Sequence, residues 1–185
     1  MGKLILVTGG ARSGKSTYAE NKAKEFGTQV LYIATAKPID EEMEMRIARH
    51  RAQRPAGWVT LEAYKELDLE LESISKGKNV VMLDCITVMV SNLMLDESWE
   101  WDELSRERVE EIEQTIMHQI ERLITFIKTQ EIPFILVTNE VGLGVVPPSA
   151  MGRDFRDIGG RVNQLLARVS EEVYFCVSGI PVKIK

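Results

Sequence analysis

The sequence predicts an α/β fold in which a mostly parallel sheet carries helices on both faces, and three observations lead to this prediction. Segments typical of strands and of helices alternate along the chain. Two of the strand segments, residues 80–83 and 134–137, are apolar throughout, as strands buried on both faces are. A loop motif that binds phosphate follows the first strand segment directly. The length of 185 residues favours a single domain spanning 1–185.

The first strand covers residues 3–8, and the loop behind it fits the pattern G-x-x-x-x-G-K-[ST] at every fixed position. Glycines let the backbone turn its N–H groups inward, and the helix that follows adds its positive N-terminal end. Lys15 is then expected to reach the β- and γ-phosphates, and the Ser16 hydroxyl to ligate Mg²⁺. A chance match in a glycine-rich turn is the alternative, and the flanking strand and helix argue against it. The predicted nucleotide contacts here are Gly9, Gly10, Ala11, Arg12, Ser13, Gly14, Lys15 and Ser16.

The second strand, residues 30–34, ends in small residues. Ala34, Thr35 and Ala36 leave space for a ligand beyond the carboxyl end of this strand. Asp40 then caps a helix whose first turn is acidic and whose last turns are basic, and Pro55 follows its end. A short extended segment at 58–62 comes next.

A helix of about a dozen residues, with Leu67, Leu71 and Ile74 at helical spacing, leads to the next strand. That strand, Val80–Asp84, is an apolar run ending in a carboxylate, which is the form of a Walker B strand whose acid supports Mg²⁺. A core strand that merely ends in a turn residue is the alternative for Asp84.

The second half of the chain begins with a buried helix at 85–95 and an acidic loop at 96–102. One long amphipathic helix is predicted over 103–130, because apolar residues recur there at steps of three and four. Its stripe packs either on the sheet or on a second subunit. Its members are Val109, Ile112, Ile116, Ile120, Leu123 and Ile127.

The next strand covers residues 134–138. A glycine- and proline-rich loop at 139–148 follows it and is too long for a plain connector, so it is expected to carry function. A helix through about Val169 and two closing strands, 173–177 and 181–184, complete the predicted fold.

Composition excludes several classes of protein. A net charge of -5 argues against a nucleic-acid partner. No apolar run approaches the roughly 20 residues that span a bilayer, and the N-terminus leaves no room for a signal peptide, so we expect a cytoplasmic protein. Cys85 and Cys176 lie in apolar surroundings and are expected to be reduced, buried thiols.

The strongest further candidate for chemistry is His50, one of two histidines. On a helix, Arg46 and Arg54 lie four residues to either side of it and share its face. Positive neighbours would keep the imidazole neutral and nucleophilic and would also bind phosphates. From composition alone, a solvated basic helix end is the more common explanation of this run. His118 falls off the apolar stripe of the long helix and is expected to be exposed and inert.

Taken together, these motifs resemble the bifunctional adenosylcobinamide kinase/adenosylcobinamide-phosphate guanylyltransferase family over nearly the whole chain. His50 stands where the family has the histidine that accepts GMP. The matching stretches are Gly9 to Ser16, Tyr32 to Ala36, Arg46-Ile47 with His50 and Arg54-Pro55, Trp58 with Thr60 and Glu62, Leu83 to Thr87, Thr138 to Gly142, Phe155 to Asp157 with Gly160, Asn163-Gln164, and Gly179 to Pro181.

The resemblance implies a P-loop NTPase-like (RecA-like) fold and two reactions. The first phosphorylates the aminopropanol hydroxyl of adenosylcobinamide from ATP or GTP, and the second transfers GMP from GTP through a guanylyl-histidine, with Mg²⁺ as cofactor. Lys15 and His50 are then catalytic, and Ser16 and Asp84 hold the metal. The implied guanine-nucleotide contacts are Ala34, Thr35, Ala36, Arg51, Ala52, Gln53, Arg54, Glu62 and Asp84.

Glu62 is our hypothesis for readout of the guanine base, since a carboxylate accepts from its N1–H and exocyclic amine. The resemblance also implies a homo-oligomer, for which the stripe on 109–127 is a candidate contact. Two other functions remain open at this point: a plain P-loop small-molecule kinase in which His50 only binds phosphate, and a nucleotide-binding regulatory module without transfer activity.

Overall fold

A seven-stranded sheet forms the centre of the molecule. The computed structural model describes residues 2–97 and 100–185, and the side chains of Arg46, His50 and Gln53 lie outside this description. In the described chain the strand order is β3-β2-β4-β5-β1-β6-β7, with only β7 antiparallel to its neighbour. The strands are β1 Leu4–Gly9, β2 Val30–Ala34, β3 Val59–Glu62, β4 Val80–Asp84, β5 Phe134–Asn139, β6 Glu172–Val177 and β7 Ile180–Lys183.

The helices follow the predicted order and differ mainly at their ends. The helix after β3 has 8 residues instead of about a dozen. The predicted loop at 96–102 contains a 3₁₀ turn at Trp101–Glu103, while Ser98 and Trp99 lie outside the described residues. The helices are α1 Lys15–Glu25, α2 Glu41–Gln53, α3 Leu67–Ile74, α4 Ile86–Glu97, α5 Arg106–Thr129 and α6 Ala150–Val169.

Helices cover both faces of the sheet, as predicted. Helix α1 packs its buried Ala19 and Ala23 on one face, against side chains such as Val7 and Val137. Helices α3, α4, α5 and α6 pack on the other face, against side chains such as Leu6. Strands β1, β2, β4 and β5 are therefore buried on both sides, which is why their sequences show apolar runs without alternation.

The long helix α5 begins one residue after Ser105, whose hydroxyl accepts a hydrogen bond from the Arg108 N–H. Its apolar stripe lies in the core of its own chain, where Ile120 is fully buried. The stripe therefore packs on the sheet and is not available to a second subunit. A homo-oligomer stays a prediction, and its contact would lie elsewhere. His118 is exposed on the outer side of α5, as predicted.

Both cysteines are free and buried, as predicted. Burial, with the nearby charge of Asp84 as a second cause, raises the pKa of Cys85 to about 12, so its thiol stays protonated. Within the described residues, the helices are too short or too polar to cross a membrane.

The two closing strands form a hairpin whose turn touches the phosphate loop. Ser178 and Gly179 take positive φ values of 50° and 84°, as a tight two-residue turn between antiparallel strands requires. The N–H of Gly179 donates to the carbonyl of Ser13 at 2.9 Å. The end of the chain thus supports the loop that follows β1.

Candidate functional site

The phosphate loop, residues 9–16, lies at the carboxyl end of β1, between β5 and β6. Gly14 caps α1 with φ of 88°, a conformation that glycine adopts without strain. A Cβ on Gly9 would lie 2.6 Å from the Ser13 Oγ, so the close approach of these two residues also requires glycine. The predicted arrangement of strand, loop and helix N-terminus is confirmed.

Lys15 is held inside this loop. Its side chain is buried, with 8% of the residue exposed, and its Nζ donates to the Gly10 carbonyl at 3.1 Å. Ser13 is equally buried, and its Oγ has no hydrogen-bond partner among the described residues. Buried polar groups are normally paired, so a free hydroxyl and an ammonium in one loop indicate a site that a polar anionic ligand completes.

The ends of three neighbouring strands lie level with one another beside the loop. Ala34 of β2 is in register with Glu62 of β3 and with Asp84 of β4. Strand β5 separates β4 from β1, and Asp84 is level with Val137 of that strand. The predicted residues of β2, β3 and β4 therefore share the edge of the sheet that also carries the phosphate loop.

Asp84 is half-buried, and one of its oxygens is already bonded. The Tyr32 hydroxyl donates to Asp84 Oδ2 at 3.0 Å. Burial of the ring, followed by the charge of Asp84, raises the pKa of Tyr32 above its usual range, so the phenol remains a donor. Because Oδ2 is bonded in this way, Oδ1 is the Asp84 oxygen left for a ligand.

The structure also tests whether the residues fit a magnesium ion. Among the described residues, no cluster of three or more His, Cys, Asp or Glu side chains is placed to hold a metal. The ligands predicted from the sequence are one carboxylate, that of Asp84, and the hydroxyl of Ser16, which is half-buried. Proteins commonly bind Mg²⁺ through one or two carboxylates, with substrate phosphates and waters as its other ligands. The residues fit a metal that arrives with the nucleotide.

Thr35 joins the ends of β2 and β4. Its hydroxyl donates to the Cys85 carbonyl at 2.8 Å and accepts from the Cys85 N–H at 2.9 Å. Its own carbonyl accepts from Asn92 Nδ2 at 2.7 Å. With 1% of the residue exposed, Thr35 positions the segment around Asp84, and direct contact between Thr35 and a nucleotide stays a prediction.

Replacing Thr35 by valine is expected to lower the free energy of unfolding by about 1–3 kcal/mol, because it leaves the N–H of Cys85 buried without a partner, while the Cys85 carbonyl keeps the hydrogen bond from the Met89 N–H. Chemical denaturation followed by circular dichroism measures this loss. Thr35→Ser keeps the hydroxyl and is the matched control. Unchanged stability together with a raised KM for GTP would contradict this structural role and favour a direct nucleotide contact.

Helix α2 carries His50, and the described side chains of this helix lie outside both apolar cores. Asp40 caps it by accepting from the Met43 N–H at 2.7 Å, as predicted. No described residue of α2 is buried. The described side chains of α2 are therefore held by polar contacts at the ends of the helix instead of by core packing.

Those contacts lie at the C-terminal end of α2. Arg51 forms an ion pair with Glu62 in which both side chains are more than half exposed. The guanidinium of Arg54 stacks on the Tyr32 ring, 4.0 Å from its centroid, and its Nε is buried without a partner among the described residues. Arg54 and Asp84 thus share Tyr32 as a neighbour, which connects the end of α2 to the end of β4. Of the predicted site residues on this helix, His50 and Gln53 have side chains outside the described part, and Ala52 is exposed.

One network at the end of β5 was not assigned a role from the sequence. The Thr138 hydroxyl bonds to both the Thr87 hydroxyl at 3.0 Å and Asn163 Oδ1 at 2.7 Å. Asn163 Nδ2 in turn donates to the Asn139 carbonyl at 3.0 Å. These residues stood out only as matching stretches, and the structure shows that they join β5, α4 and α6 beneath the loop at 139–148. The Glu140 N–H extends this connection by donating to the Gly9 carbonyl at 3.1 Å.

Comparison with known proteins places these features in a family. The family model described as cobinamide kinase / cobinamide phosphate guanyltransferase matches residues 5–184. The chain is 46% identical to the bifunctional adenosylcobalamin biosynthesis protein CobU of Escherichia coli (strain K12), over 98% of this chain and 99% of that protein. The protein of the same name from Salmonella typhimurium is 44% identical, with the same coverage. Among solved structures, the RadB recombinase matches with a TM-score of 0.47 and 19% identity, over 94% of this chain and 73% of that one.

Proposed function

The chain belongs to the cobinamide kinase / cobinamide phosphate guanyltransferase family, and we propose that it catalyses both reactions on adenosylcobinamide. In the first, ATP or GTP phosphorylates the hydroxyl of the substrate. In the second, GMP from GTP joins that phosphate and pyrophosphate leaves, giving adenosylcobinamide-GDP. Both reactions consume nucleoside triphosphates, and we place them in the cytoplasm.

The observation that carries this proposal is the phosphate loop at the shared edge of the sheet, with buried Lys15 inside it and Asp84 two strands away. The backbone N–H groups and the Lys15 ammonium bind the β- and γ-phosphates. In the kinase step they stabilise the charge that develops on the phosphates as the hydroxyl attacks. Ser16 and Asp84 would hold Mg²⁺, which supplies further neutralisation of phosphate charge when bound.

Helix α2 supplies the second reaction. An imidazole nitrogen of His50 attacks the α-phosphorus of GTP, the bond from that phosphorus to the bridging oxygen breaks, and pyrophosphate leaves. The phosphate of the substrate then attacks the same phosphorus, and the imidazole is released. Arg51 and Arg54 lie at the same end of α2, where their charge favours anionic phosphates.

Base recognition is assigned to the edge formed by β2 and β3. The small residues Ala34 and Ala36 leave room beside the strand ends, and the Glu62 carboxylate lies level with Ala34. Glu62 is paired with Arg51 in the structure, but exposed ion pairs contribute at most about 1 kcal/mol. A guanine base that offers two N–H donors therefore replaces Arg51 at little cost.

The test is covalent labelling of the protein with GTP that carries the label on its α-phosphate. The intact protein is expected to retain acid-labile GMP, in an amount approaching one per chain, when no cobinamide phosphate is present. GTP labelled on the γ-phosphate is the control and is expected to leave no label. Absence of any label from α-labelled GTP would exclude the guanylyl-histidine and favour the plain kinase.

A further inference from the structure

A groove of about 570 Å³ lies between α6 and the sheet, on the face opposite α1. Leu6 and Thr8 of β1 and Val173 of β6 form its floor. Helix α6 forms one wall, and Glu140 and Gly142 lie at the end nearest the phosphate loop. Its volume is in the range that holds a ligand of drug size. None of the residues predicted from the sequence to bind nucleotide lines it.

Several of the polar groups that line the groove have no partner among the described residues. Thr8 is 7% exposed, and its Oγ1 has no hydrogen bond among the described residues. Glu140, Arg156, Asp157 and Gln164 line the groove as well, and within the described chain their side chains form no hydrogen bond or ion pair.

Other polar residues of the same wall are paired. Arg161 bonds to Glu113, and Asn163 bonds to Thr138 and Asn139. The paired and the unpaired residues both line the groove, and Asp157 and Gln164 are exposed. The informative group is the Thr8 hydroxyl, because a buried hydroxyl without a partner is uncommon in proteins. The unpaired groups include carboxylates, which accept hydrogen bonds, and a guanidinium, which donates them. This combination suits a neutral ligand that carries hydroxyl and amide groups.

The groove opens directly at the phosphate loop. Thr8 immediately precedes Gly9, and the Glu140 N–H donates to the Gly9 carbonyl at 3.1 Å. A Cβ added to Gly142 would lie 3.6 Å from Glu140 Oε1, which places this carboxylate at the mouth of the groove. A ligand in the groove would thus reach the phosphate loop from the face of the sheet opposite α1.

We propose that this groove binds the hydroxyl-bearing arm of the phosphoryl acceptor and that Glu140 accepts the proton of that hydroxyl. The assignment rests on the proposed kinase function. The hydroxyl oxygen attacks the γ-phosphorus and forms the new O–P bond, while the bond from this phosphorus to the β–γ bridging oxygen breaks. The hydroxyl proton passes to the Glu140 carboxylate, and the nucleoside diphosphate leaves with the bonding electrons. Asp157, Arg156 and Gln164 bind amide groups of the acceptor.

The groove is tested by filling it at Gly160. A Cβ at this helical position meets no atom within 4 Å, so Gly160→Leu is expected to fold and to project its side chain into the groove. The KM for cobinamide in the kinase assay is expected to rise at least about tenfold, with the KM for the nucleotide unchanged. Arg168→Leu is the matched control, because Arg168 is exposed on α6 and does not line the groove.

Labelling with α-labelled GTP, which needs no acceptor, reports separately on folding and on the proposed function. An unchanged KM for cobinamide in a Gly160→Leu protein that still takes up label would overturn the groove assignment and leave the two-reaction function standing. A raised KM for nucleotide alone would assign the groove to the nucleotide and also overturn it.

The role of Glu140 is tested by Glu140→Gln. The kcat for phosphorylation is expected to fall about 10²–10⁴-fold, with the KM for cobinamide nearly unchanged. Asp157→Asn is the comparison, and it should raise KM with little effect on kcat. A loss of kcat in Asp157→Asn but not in Glu140→Gln would overturn the assignment of Glu140 as the base.

Discussion

Replacement of Lys15 by alanine is expected to lower the rates of both phosphorylation and guanylyl transfer by about 10²–10³-fold, the usual effect of removing one group that stabilises transition-state charge. Lys15 is buried and bonded to the Gly10 carbonyl, so its ammonium acts where water is scarce and charge interactions are strong. In the proposed kinase step the ammonium faces the transferred phosphate, and in the proposed second step it faces the pyrophosphate that leaves.

Initial rates of both half-reactions, measured with saturating nucleotide, check this expectation. Lys22→Ala is the control, since Lys22 lies on the same helix and forms only a surface ion pair with Glu25. If Lys15→Ala lost the kinase reaction but took up GMP from GTP at the normal rate, the two reactions would have to use different polyphosphate sites. The proposal that a single loop serves both reactions would then be wrong.

The architecture was predictable because its central strands, β1, β2, β4 and β5, are buried on both faces. Strand β4 was predicted with its observed bounds, Val80–Asp84. Four consecutive apolar residues followed by a carboxylate are not the pattern of a surface segment. Helix α5 shows the limit of periodicity. Its stripe predicted an amphipathic helix, but the same stripe suits a sheet or a second subunit, and only the three-dimensional packing distinguishes them.

The placement of the candidate site residues was predictable where it is local in sequence. The phosphate loop and Asp84 each lie within one short motif, so residue type and spacing were enough to place them at the carboxyl ends of β1 and β4, while their roles remain predictions. The groove beside α6 was not predictable from the residues, because it depends on β1, β5 and β6 being neighbours although more than 100 residues separate β1 from the other two. The long loop at 139–148 was expected to carry function, but nothing in the sequence placed Glu140 next to Gly9.

Tyr32 illustrates a third kind of residue, which connects parts of the site. Its hydroxyl bonds to Asp84 and its ring supports Arg54. In the sequence it was one apolar-looking member of a strand. In the structure, Tyr32 contacts both Asp84 and Arg54, which lies at the end of the helix that carries His50. The proposed sites for the two reactions are therefore connected through this one side chain.

Replacement of His50 by alanine is expected to remove the covalent label from α-labelled GTP and to lower guanylyl transfer by about 10⁴–10⁶-fold, as loss of a covalent nucleophile does in other enzymes. Phosphorylation of cobinamide is expected to continue within a few-fold of its normal rate, because the loop, Lys15 and Asp84 are untouched. This separation of the two reactions distinguishes a nucleophile from a histidine that only binds phosphate, whose loss would weaken nucleotide binding in both.

The chain offers a matched control in its other histidine. His118 is exposed on α5, so His118→Ala is expected to retain both the label and both activities. Circular dichroism reports separately whether His50→Ala is folded, so a failure to fold does not obscure the result. Label that persists in His50→Ala at the normal level would assign the nucleophile to another residue, whereas equal loss of both reactions would place His50 in shared phosphate binding.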